Sequence, residues 1–230
     1  MNNKVIYTAI IGGYDGLGEP NYKPEGWDFV CFTDRDLTSD TWEIRKTLPL
    51  YTDNTRTARK HKLLPHRLFP DYEYSLWLDG NIKVVGDVNE LVSHLGGCNY
   101  ATYDHSQNQL DPRNCIYGEA NTILQLGIKN NGNYKDNPLL IKEQMNRYRR
   151  DGYPENNGLV VQMEVLRRHN EKDVIESMEN HWNELKYNSK REQLSFNYIA
   201  WKNDLKFSYI QGDSRDNKYF LNMGAHTGKK

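Results

Sequence analysis

Several features that would assign this chain of 230 residues to a particular class are missing. It contains no run of about 18 apolar residues, so we expect no membrane-spanning segment. It also lacks an excess of charge of one sign, because 30 Lys and Arg residues face 31 Asp and Glu residues, for a net charge of −1. We therefore expect no bulk attraction to nucleic acid and at most a peripheral association with membranes.

Cysteine is scarce as well. Cys31, Cys98 and Cys115 are too few and too scattered for a disulfide framework or a zinc site. We interpret them as small hydrophobic residues in a reducing compartment. The first residues, Met-Asn-Asn-Lys, lead directly into a strand pattern rather than into the apolar core of a signal peptide, and we expect a cytoplasmic location.

Phenylalanine is uncommon among the aromatic residues, with 6 Phe against 16 Tyr and 5 Trp. Tyrosine and tryptophan combine an apolar ring with a hydrogen-bonding group, which fits a polar cleft for a ligand such as a sugar. The same composition also fits simple Tyr-rich packing in a small polar enzyme.

Short apolar segments alternate with segments of helical periodicity along the chain. This alternation predicts an α/β protein of one domain, with a mostly parallel sheet flanked by helices. The predicted strands are residues 4–11, 28–33, 42–46, 74–78, 82–85, 158–162 and 207–210. The predicted helices are residues 54–64, 88–95, 117–126, 138–151, 163–170, 173–187 and 191–201.

The most informative segment is Leu-Trp-Leu-Asp-Gly-Asn at residues 76–81. An apolar strand ends here in the side chains of Asp79 and Asn81, separated by Gly80. Hard divalent ions such as Mn²⁺ and Mg²⁺ bind oxygen ligands of this kind and share them with phosphate oxygens. Gly80 has no Cβ, so a diphosphate could approach the backbone there. The alternative is an ordinary turn.

Two other predicted strands of the first half end in polar or glycine-rich sequence. The first leads into Gly-Gly-Tyr-Asp-Gly at residues 12–16, and the second ends at Asp34. Ligands of open α/β sheets bind outside the carboxyl ends of the strands, so we expect a nucleotide in this half. The glycine loop matches neither the dinucleotide-binding nor the P-loop pattern.

Arg59 and Lys62 lie three positions apart and therefore share one face of the predicted helix. They could bind a diphosphate, with Arg suited to bidentate contacts. The alternative is a solvated basic face, whose substitution would cost less than about 1 kcal/mol of stability.

Taken together, these segments resemble a GT-A glycosyltransferase. More closely, the chain is similar to a bacterial and plant glycosyltransferase-like family long catalogued as a domain of unknown function. The matching segments are residues 7–15, 32–34, 59–62, 69–70, 77–81 and 192–197, with His105 and Glu119-Ala120. A more distant similarity is to the glycogenin and galactosyltransferase family.

The resemblance implies a GT-A fold, Rossmann-like, with a donor-nucleotide half at about residues 1–100 and an acceptor half at about 101–230. It implies transfer of a hexose, galactose or glucose, from a UDP-sugar onto a glycan or glycolipid acceptor. The setting would be surface polysaccharide synthesis such as that of lipopolysaccharide. The glycogenin-like layout favours retention of the anomeric configuration.

The resemblance also implies roles for single residues. Mn²⁺ or Mg²⁺ would be held by Asp79, Asn81 and His226. The donor would contact Thr8, Ala9, Tyr14, Asp34, Arg59, Lys62, Asp79, Gly80 and Lys229. The acceptor would contact Tyr103, His105, Asn157 and Gly158. The candidates for catalysis are Glu192, Gln193 and Glu119, with capping of a helix as the alternative for Glu192.

Two other functions remain open at this stage. A nucleotidyltransferase that makes sugar nucleotides would use a similar sheet, but it would need a basic glycine-rich loop, and residues 12–16 contain no Lys or Arg. A catalytically inactive carbohydrate-binding domain of the same fold is the second alternative, because Asn81 stands where a second aspartate would be expected.

Overall fold

A central sheet and a small second sheet organise the protein, whose computed structural model describes residues 2–224. The strands are β1 (Lys4–Ile10), β2 (Trp27–Thr33), β3 (Glu43–Lys46), β4 (Tyr74–Leu78), β5 (Ile82–Val84), β6 (Tyr100–Asp104), β7 (Val160–Arg167), β8 (Ser208–Ile210) and β9 (Phe220–Asn222). The α-helices are α1 (Asn54–Leu63), α2 (Ile116–Lys129), α3 (Pro138–Arg150), α4 (Lys172–Tyr187) and α5 (Phe196–Lys202). Within residues 2–224, no helix is long and apolar enough to cross a membrane.

The central sheet has seven strands in the order β3-β2-β1-β4-β7-β6-β8. Strand β7 is antiparallel to both of its neighbours, β4 and β6, whereas the other neighbouring pairs are parallel. This arrangement confirms the predicted α/β fold with a mostly parallel sheet. Strands β1, β2, β4, β6 and β8 all end at one edge of the sheet, where β7 begins, and we call it the carboxyl edge.

Both faces of the sheet are covered, which explains why its inner strands are apolar almost throughout. In β1, all residues from Val5 to Ile10 are buried. One face packs against α1, α4 and α5, with Leu63, Trp182 and Phe196 among the contacts. The other face packs against the 3-10 segment Val88–Leu95 and the two-stranded sheet of β5 and β9. Continuous apolar runs are typical of strands buried in this way.

The prediction of a helix at residues 163–170 is wrong. Residues up to Arg167 continue strand β7, which is hydrogen-bonded on both sides, to β4 and to β6. Glu164 and Arg167 are fully buried despite their ionisable side chains. Burial on both faces removes the alternation that identifies a strand, and the remaining apolar spacing imitates a helix. Strands β6 and β9 were not predicted, and the helix predicted at 191–201 is divided into a 3-10 turn at Glu192–Leu194 and α5.

The end of the described chain returns to the segment that follows β4. Strand β9 pairs with β5, so that Asn222 lies opposite Ile82. The backbone N–H of Met223 donates to the carbonyl oxygen of Asn81 at 2.9 Å. The pairing therefore carries residues 222–224 to the Asp79-Gly80-Asn81 triplet.

Candidate functional site

Asp79 lies directly after β4 at the carboxyl edge. Its backbone N–H donates to the carbonyl oxygen of Met163 at 2.9 Å. Its Oδ1 accepts three hydrogen bonds, from Trp77 Nε1 at 2.7 Å, Lys62 Nζ at 3.0 Å and Arg59 Nη1 at 3.2 Å. No donor among residues 2–224 reaches its other oxygen, Oδ2. One face of this carboxylate is therefore fixed by the protein, and the other is available to a ligand.

Lys62 is the most deeply buried cation of the site, with a fully inaccessible side chain. Its ammonium donates to Asp79 Oδ1 at 3.0 Å, to Glu192 Oε1 at 3.0 Å and to the carbonyl oxygen of Gln162. An ammonium group has three N–H donors, and all three are used here. The alternative interpretation, a solvated basic face of the helix, is therefore wrong for Lys62. A direct contact of Lys62 with a diphosphate would require one of these bonds to break.

Arg59 lies one helical turn before Lys62 and connects the same two carboxylates. Its Nε is 2.8 Å from Glu192 Oε2, and its Nη1 is 3.2 Å from Asp79 Oδ1. Burial disfavours its charge, but Glu192 and Asp79 outweigh this and raise the pKa of Arg59. Its side chain keeps 17% of its surface exposed, and Nη2 forms no hydrogen bond or ion pair with residues 2–224. Arg59 can therefore present one edge of its guanidinium to an anion.

Glu192 completes what we call the four-charge network: Arg59, Lys62, Asp79 and Glu192. Burial alone would raise the pKa of Glu192, but the charges of Arg59, Lys62 and Arg191 bring it down to about 2. The carboxylate is ionised at neutral pH, and both oxygens are held by cations. This places Glu192 as a support for the two cations, and such a weak base is a poor proton acceptor. The neighbouring Gln193 donates to the carbonyl oxygen of Val160 at 3.1 Å.

Asn81 is turned toward the end of the described chain. Its Nδ2 donates to the carbonyl oxygen of Gly224 at 2.9 Å and lies 3.4 Å from Asn222 Oδ1. The amide nitrogen of Asn81 therefore faces Gly224 and Asn222. Its oxygen, Oδ1, accepts no hydrogen bond from residues 2–224. The predicted third metal ligand, His226, and the predicted diphosphate contact, Lys229, lie outside the described residues.

The oxygens at the triplet fit a hard divalent cation. Asp79 Oδ2 and Asn81 Oδ1 are oxygen donors without a partner inside the described part of the chain, and such groups bind Mn²⁺ and Mg²⁺. Within residues 2–224, no group of three His, Cys, Asp or Glu side chains is placed to hold a metal ion. A site here would thus need the amide of Asn81, a residue beyond Gly224, or oxygens of the ligand itself.

The glycine-rich loop after β1 is held by the end of β2. The carboxylate of Asp34 accepts from the backbone N–H of Gly12, at 3.0 and 3.1 Å from its two oxygens. Thr8 and Ala9 are buried in β1, and the hydroxyl of Thr8 has no hydrogen-bond partner in the described chain. Tyr14 is 48% exposed and close enough to Arg59 to contribute to its raised pKa. Asp34 therefore shapes the loop.

A second polar cluster follows β6, farther along the same edge. Glu119 and His105 are buried, and both contact Arg113: its Nε lies 2.8 Å from Glu119 Oε2, and its Nη2 lies 3.4 Å from His105 Nε2. Burial and the charge of Arg113 lower the pKa of His105, so its ring is neutral at neutral pH. Tyr103, in contrast, faces the apolar core with no exposed surface.

The segment before β7 brings Asn157 and Gly158 to this edge. Gly158 has a φ of +87°, which favours glycine, and a Cβ there would lie 2.9 Å from Nδ2 of Asn197. Asn197 also accepts from the backbone N–H of Val160 at 3.2 Å. The side chain of Asn157 is exposed, while its carbonyl oxygen accepts from Tyr153 at 3.1 Å.

The structure adds one acidic residue that sequence reasoning missed. Glu164 is fully buried on β7, and neither of its carboxyl oxygens has a hydrogen-bond partner in residues 2–224. Burial, and next the charge of Asp79, raise the pKa of Glu164 well above its ordinary value. An apolar run containing one glutamate gives no signal for a site, since the same pattern fits an exposed position on a helix.

We expect Lys62→Met to lower the free energy of unfolding by about 3–5 kcal/mol, because it leaves the buried Glu192 and the half-buried Asp79 without their shared cation. The folded-state pKa of Glu192, about 2, lies below its ordinary value of 4.5, so its contribution to stability is present above about pH 4.5 and is lost as the pH falls toward 2. In Lys62→Met the folded-state pKa of Glu192 should rise, because one of the cations that lower it is gone, so the loss should be smaller and should be complete at a higher pH. Urea denaturation followed by tryptophan fluorescence across this range measures both effects.

Lys60→Met provides the matched control, since Lys60 lies on the same helix and forms no ion pair with a described residue. Equal stability of Lys60→Met and Lys62→Met would show that the four-charge network contributes nothing to folding.

Comparison with known proteins places the chain in a family. Residues 32–221 match the family described as TOD1/MUCI70, glycosyltransferase-like domain. Over 137 residues the chain is 27% identical to the Arabidopsis thaliana protein named "Probable hexosyltransferase MUCI70", an alignment that covers 51% of this chain and 23% of that relative. The chain thus spans about a quarter of the length of that protein.

Among solved structures, the chain is similar to a glycosyltransferase involved in the glycosylation of the major capsid of PBCV-1. The TM-score is 0.43 at 12% identity, with 83% of this chain and 79% of that chain covered. The family match extends from the end of β2 to β9 and includes the whole four-charge network. The chain belongs to the TOD1/MUCI70 family of glycosyltransferase-like domains.

Proposed function

We propose that this chain transfers a hexosyl group from a UDP-sugar, UDP-galactose or UDP-glucose, to a hydroxyl group of a glycan or glycolipid acceptor. In this proposal the reaction uses Mn²⁺ or Mg²⁺, retains the anomeric configuration and serves surface polysaccharide synthesis in the cytoplasm. Membership of a glycosyltransferase-like family supports the reaction class. The name of the plant relative supports a hexose as the group transferred.

The observation that carries the proposal is the position of Arg59 in the four-charge network. Its guanidinium is held by Asp79 and Glu192 at the carboxyl edge, and its side chain keeps 17% of its surface exposed. Beside it are the free oxygen of Asp79 and the glycine-rich loop. An anion with a bound cation, such as a nucleoside diphosphate with Mn²⁺, matches this combination of a guanidinium and a carboxylate.

The chemistry of transfer explains why such groups would be needed. The bond between the anomeric carbon and a diphosphate oxygen breaks, and a bond from the acceptor hydroxyl oxygen to that carbon forms. Negative charge grows on the leaving diphosphate, where Arg59 can stabilise it. A divalent ion, held by Asp79, Asn81 and His226, would supply further positive charge at the diphosphate. The proton of the acceptor hydroxyl passes to the leaving diphosphate in a retaining reaction.

Lys62 and Glu192 act on this chemistry through Asp79 and Arg59. All three N–H donors of Lys62 are used within the protein, so its role is to keep Asp79 in one orientation. Glu192 fixes Arg59 through Nε and balances the charge of Lys62. Preorganised charges of this kind need no rearrangement at the moment of reaction, which is what makes them effective.

In this proposal the cluster of His105, Arg113 and Glu119 serves the acceptor. It lies after β6, two strands beyond β4 at the same edge. A neutral His105 and a carboxylate that is fixed by Arg113 can hydrogen-bond to sugar hydroxyl groups. Asn157, exposed before β7, lies between the two clusters along the edge and can add a further polar contact.

The first test of the proposed function is metal-dependent donor binding. We expect Mn²⁺ to strengthen the binding of UDP in isothermal titration calorimetry, and Asp79→Ala to abolish this gain, because it removes the fixed carboxylate. Equal affinity for UDP with Mn²⁺ and with EDTA in the unsubstituted protein would contradict the metal-dependent reaction.

The second test separates the two carboxylates. Glu192→Gln keeps the shape of the side chain but weakens the hold on Arg59, and we expect a loss in kcat on the order of 10²-fold with the donor still bound. Glu119→Gln should instead raise the KM of the acceptor. Glu179→Gln is a control, since Glu179 pairs with Arg67 and His66 outside both clusters. Full activity of Glu192→Gln with an inactive Glu119→Gln would place the essential carboxylate at Glu119.

A further inference from the structure

Asp15, in the glycine-rich loop, lies against the central glycine of the Asp79-Gly80-Asn81 triplet. A Cβ atom built on Gly80 would be 2.9 Å from Asp15 Oδ2 and 3.0 Å from Asp15 Cβ. The carboxylate of Asp15 therefore occupies the space that any other residue at position 80 would fill. We propose that Asp15 supplies the second carboxylate of the divalent-cation site at this triplet. This inference rests on the proposed function and deepens it.

The triplet by itself is short of negative charge for a divalent ion. It contains one carboxylate, and Oδ1 of that carboxylate is already used by Trp77, Lys62 and Arg59. Asn81 offers only a neutral oxygen. Hard cations bind most strongly where carboxylates are present, so one free carboxylate oxygen and one amide form a weak site. A second carboxylate from a distant loop restores the charge that an aspartate at position 81 would have provided.

Glu164 gives an independent indication that this part of the molecule is suited to a cation. Its carboxyl group is fully buried, and both oxygens lack partners within residues 2–224. Glu164 lies opposite Leu78, the residue before Asp79, in the pairing of β4 and β7. Buried polar groups without partners are uncommon in native proteins and often mark sites that bind an ion or a ligand.

The position of Asp15 also connects the two parts of the donor site. The loop that carries Asp15 is held to β2 through Gly12 and Asp34. A cation shared by Asp15 and Asp79 would therefore fix the glycine-rich loop next to the diphosphate. Gly80 is required for this arrangement by space alone, because its φ lies outside the left-handed region and alanine is compatible with its backbone.

Binding of Mn²⁺ alone, measured by electron paramagnetic resonance of the free ion during titration, tests the inference without any assay of activity. We expect Asp15→Asn to raise the Kd for Mn²⁺ by at least about tenfold, since even outer-shell partners of metal ligands contribute about 10–100-fold to affinity and a direct ligand should contribute no less. Gly80→Ala should have the same effect, because its Cβ displaces the Asp15 carboxylate. Asp79→Ala should abolish binding.

Two matched controls distinguish these effects from general ones. Asp204→Asn removes an exposed carboxylate before β8, at the opposite edge of the sheet, where Asp204 pairs with Lys206. Gly97→Ala adds a methyl group at a glycine whose Cβ would meet nothing within 4 Å. Both should bind Mn²⁺ within twofold of the unsubstituted protein. Thermal melting of every variant shows whether it is folded.

The outcomes separate this inference from the proposed function. Normal Mn²⁺ affinity in Asp15→Asn, together with loss in Asp79→Ala, would overturn the role of Asp15 and leave the metal-dependent function standing. Absence of specific Mn²⁺ binding in the unsubstituted protein would contradict both. If Asp15→Asn fails to fold, Gly80→Ala decides: unchanged affinity in that variant would overturn the inference.

Discussion

The buried ammonium of Lys62 is the interaction on which the site depends. A charge without solvent exposure is tolerated only when it is fully paired, and Lys62 achieves this with two carboxylates and a backbone carbonyl group. These partners come from three separate segments: the end of β4, strand β7 and the 3-10 turn at Glu192–Leu194. One side chain of α1 therefore fixes the relative positions of three segments that are distant in sequence.

This arrangement fixes the orientation of Asp79 and Arg59. Asp79 receives three N–H donors on one oxygen, and Arg59 is held at two of its nitrogens, so each keeps only one side for a ligand. The two positive and two negative charges of the network balance each other. A diphosphate with its cation adds a pair of opposite charges, so binding would not leave the buried network with an uncompensated charge.

The sequence predicted the parts of the fold that have a local signal. The apolar run of β1, the helical periodicity of α3 and the strand before Asp79 are examples, and the polar ends of β2 and β4 lie at one edge of the sheet. The prediction wrongly divided strand β7 into a strand at 158–162 and a helix at 163–170, because burial on both faces removes the pattern by which strands are recognised. Helix and strand cannot be distinguished in such a segment without knowledge of its neighbours.

The candidate site was predictable to a similar degree. Asp79 could be identified because its residue type and its position at a strand end both indicate a ligand. The burial of Lys62 could not be predicted, because the spacing of Arg59 and Lys62 shows that they share a face of the helix but not what covers that face. The approach of Asp15 to Gly80 and the isolation of Glu164 arise from tertiary contacts alone. No spacing in the sequence encodes such contacts.

A crystal structure of the protein with UDP and Mn²⁺ tests the central claim most directly, because anomalous scattering locates the ion. The account predicts a manganese peak within coordination distance of Asp79, about 2.0–2.3 Å, as expected for a hard ion with oxygen ligands. It also predicts diphosphate oxygens in contact with Arg59, while Lys62 keeps its bonds to Asp79 and Glu192. A manganese peak away from Asp79, or UDP bound elsewhere than the carboxyl edge, would contradict the account.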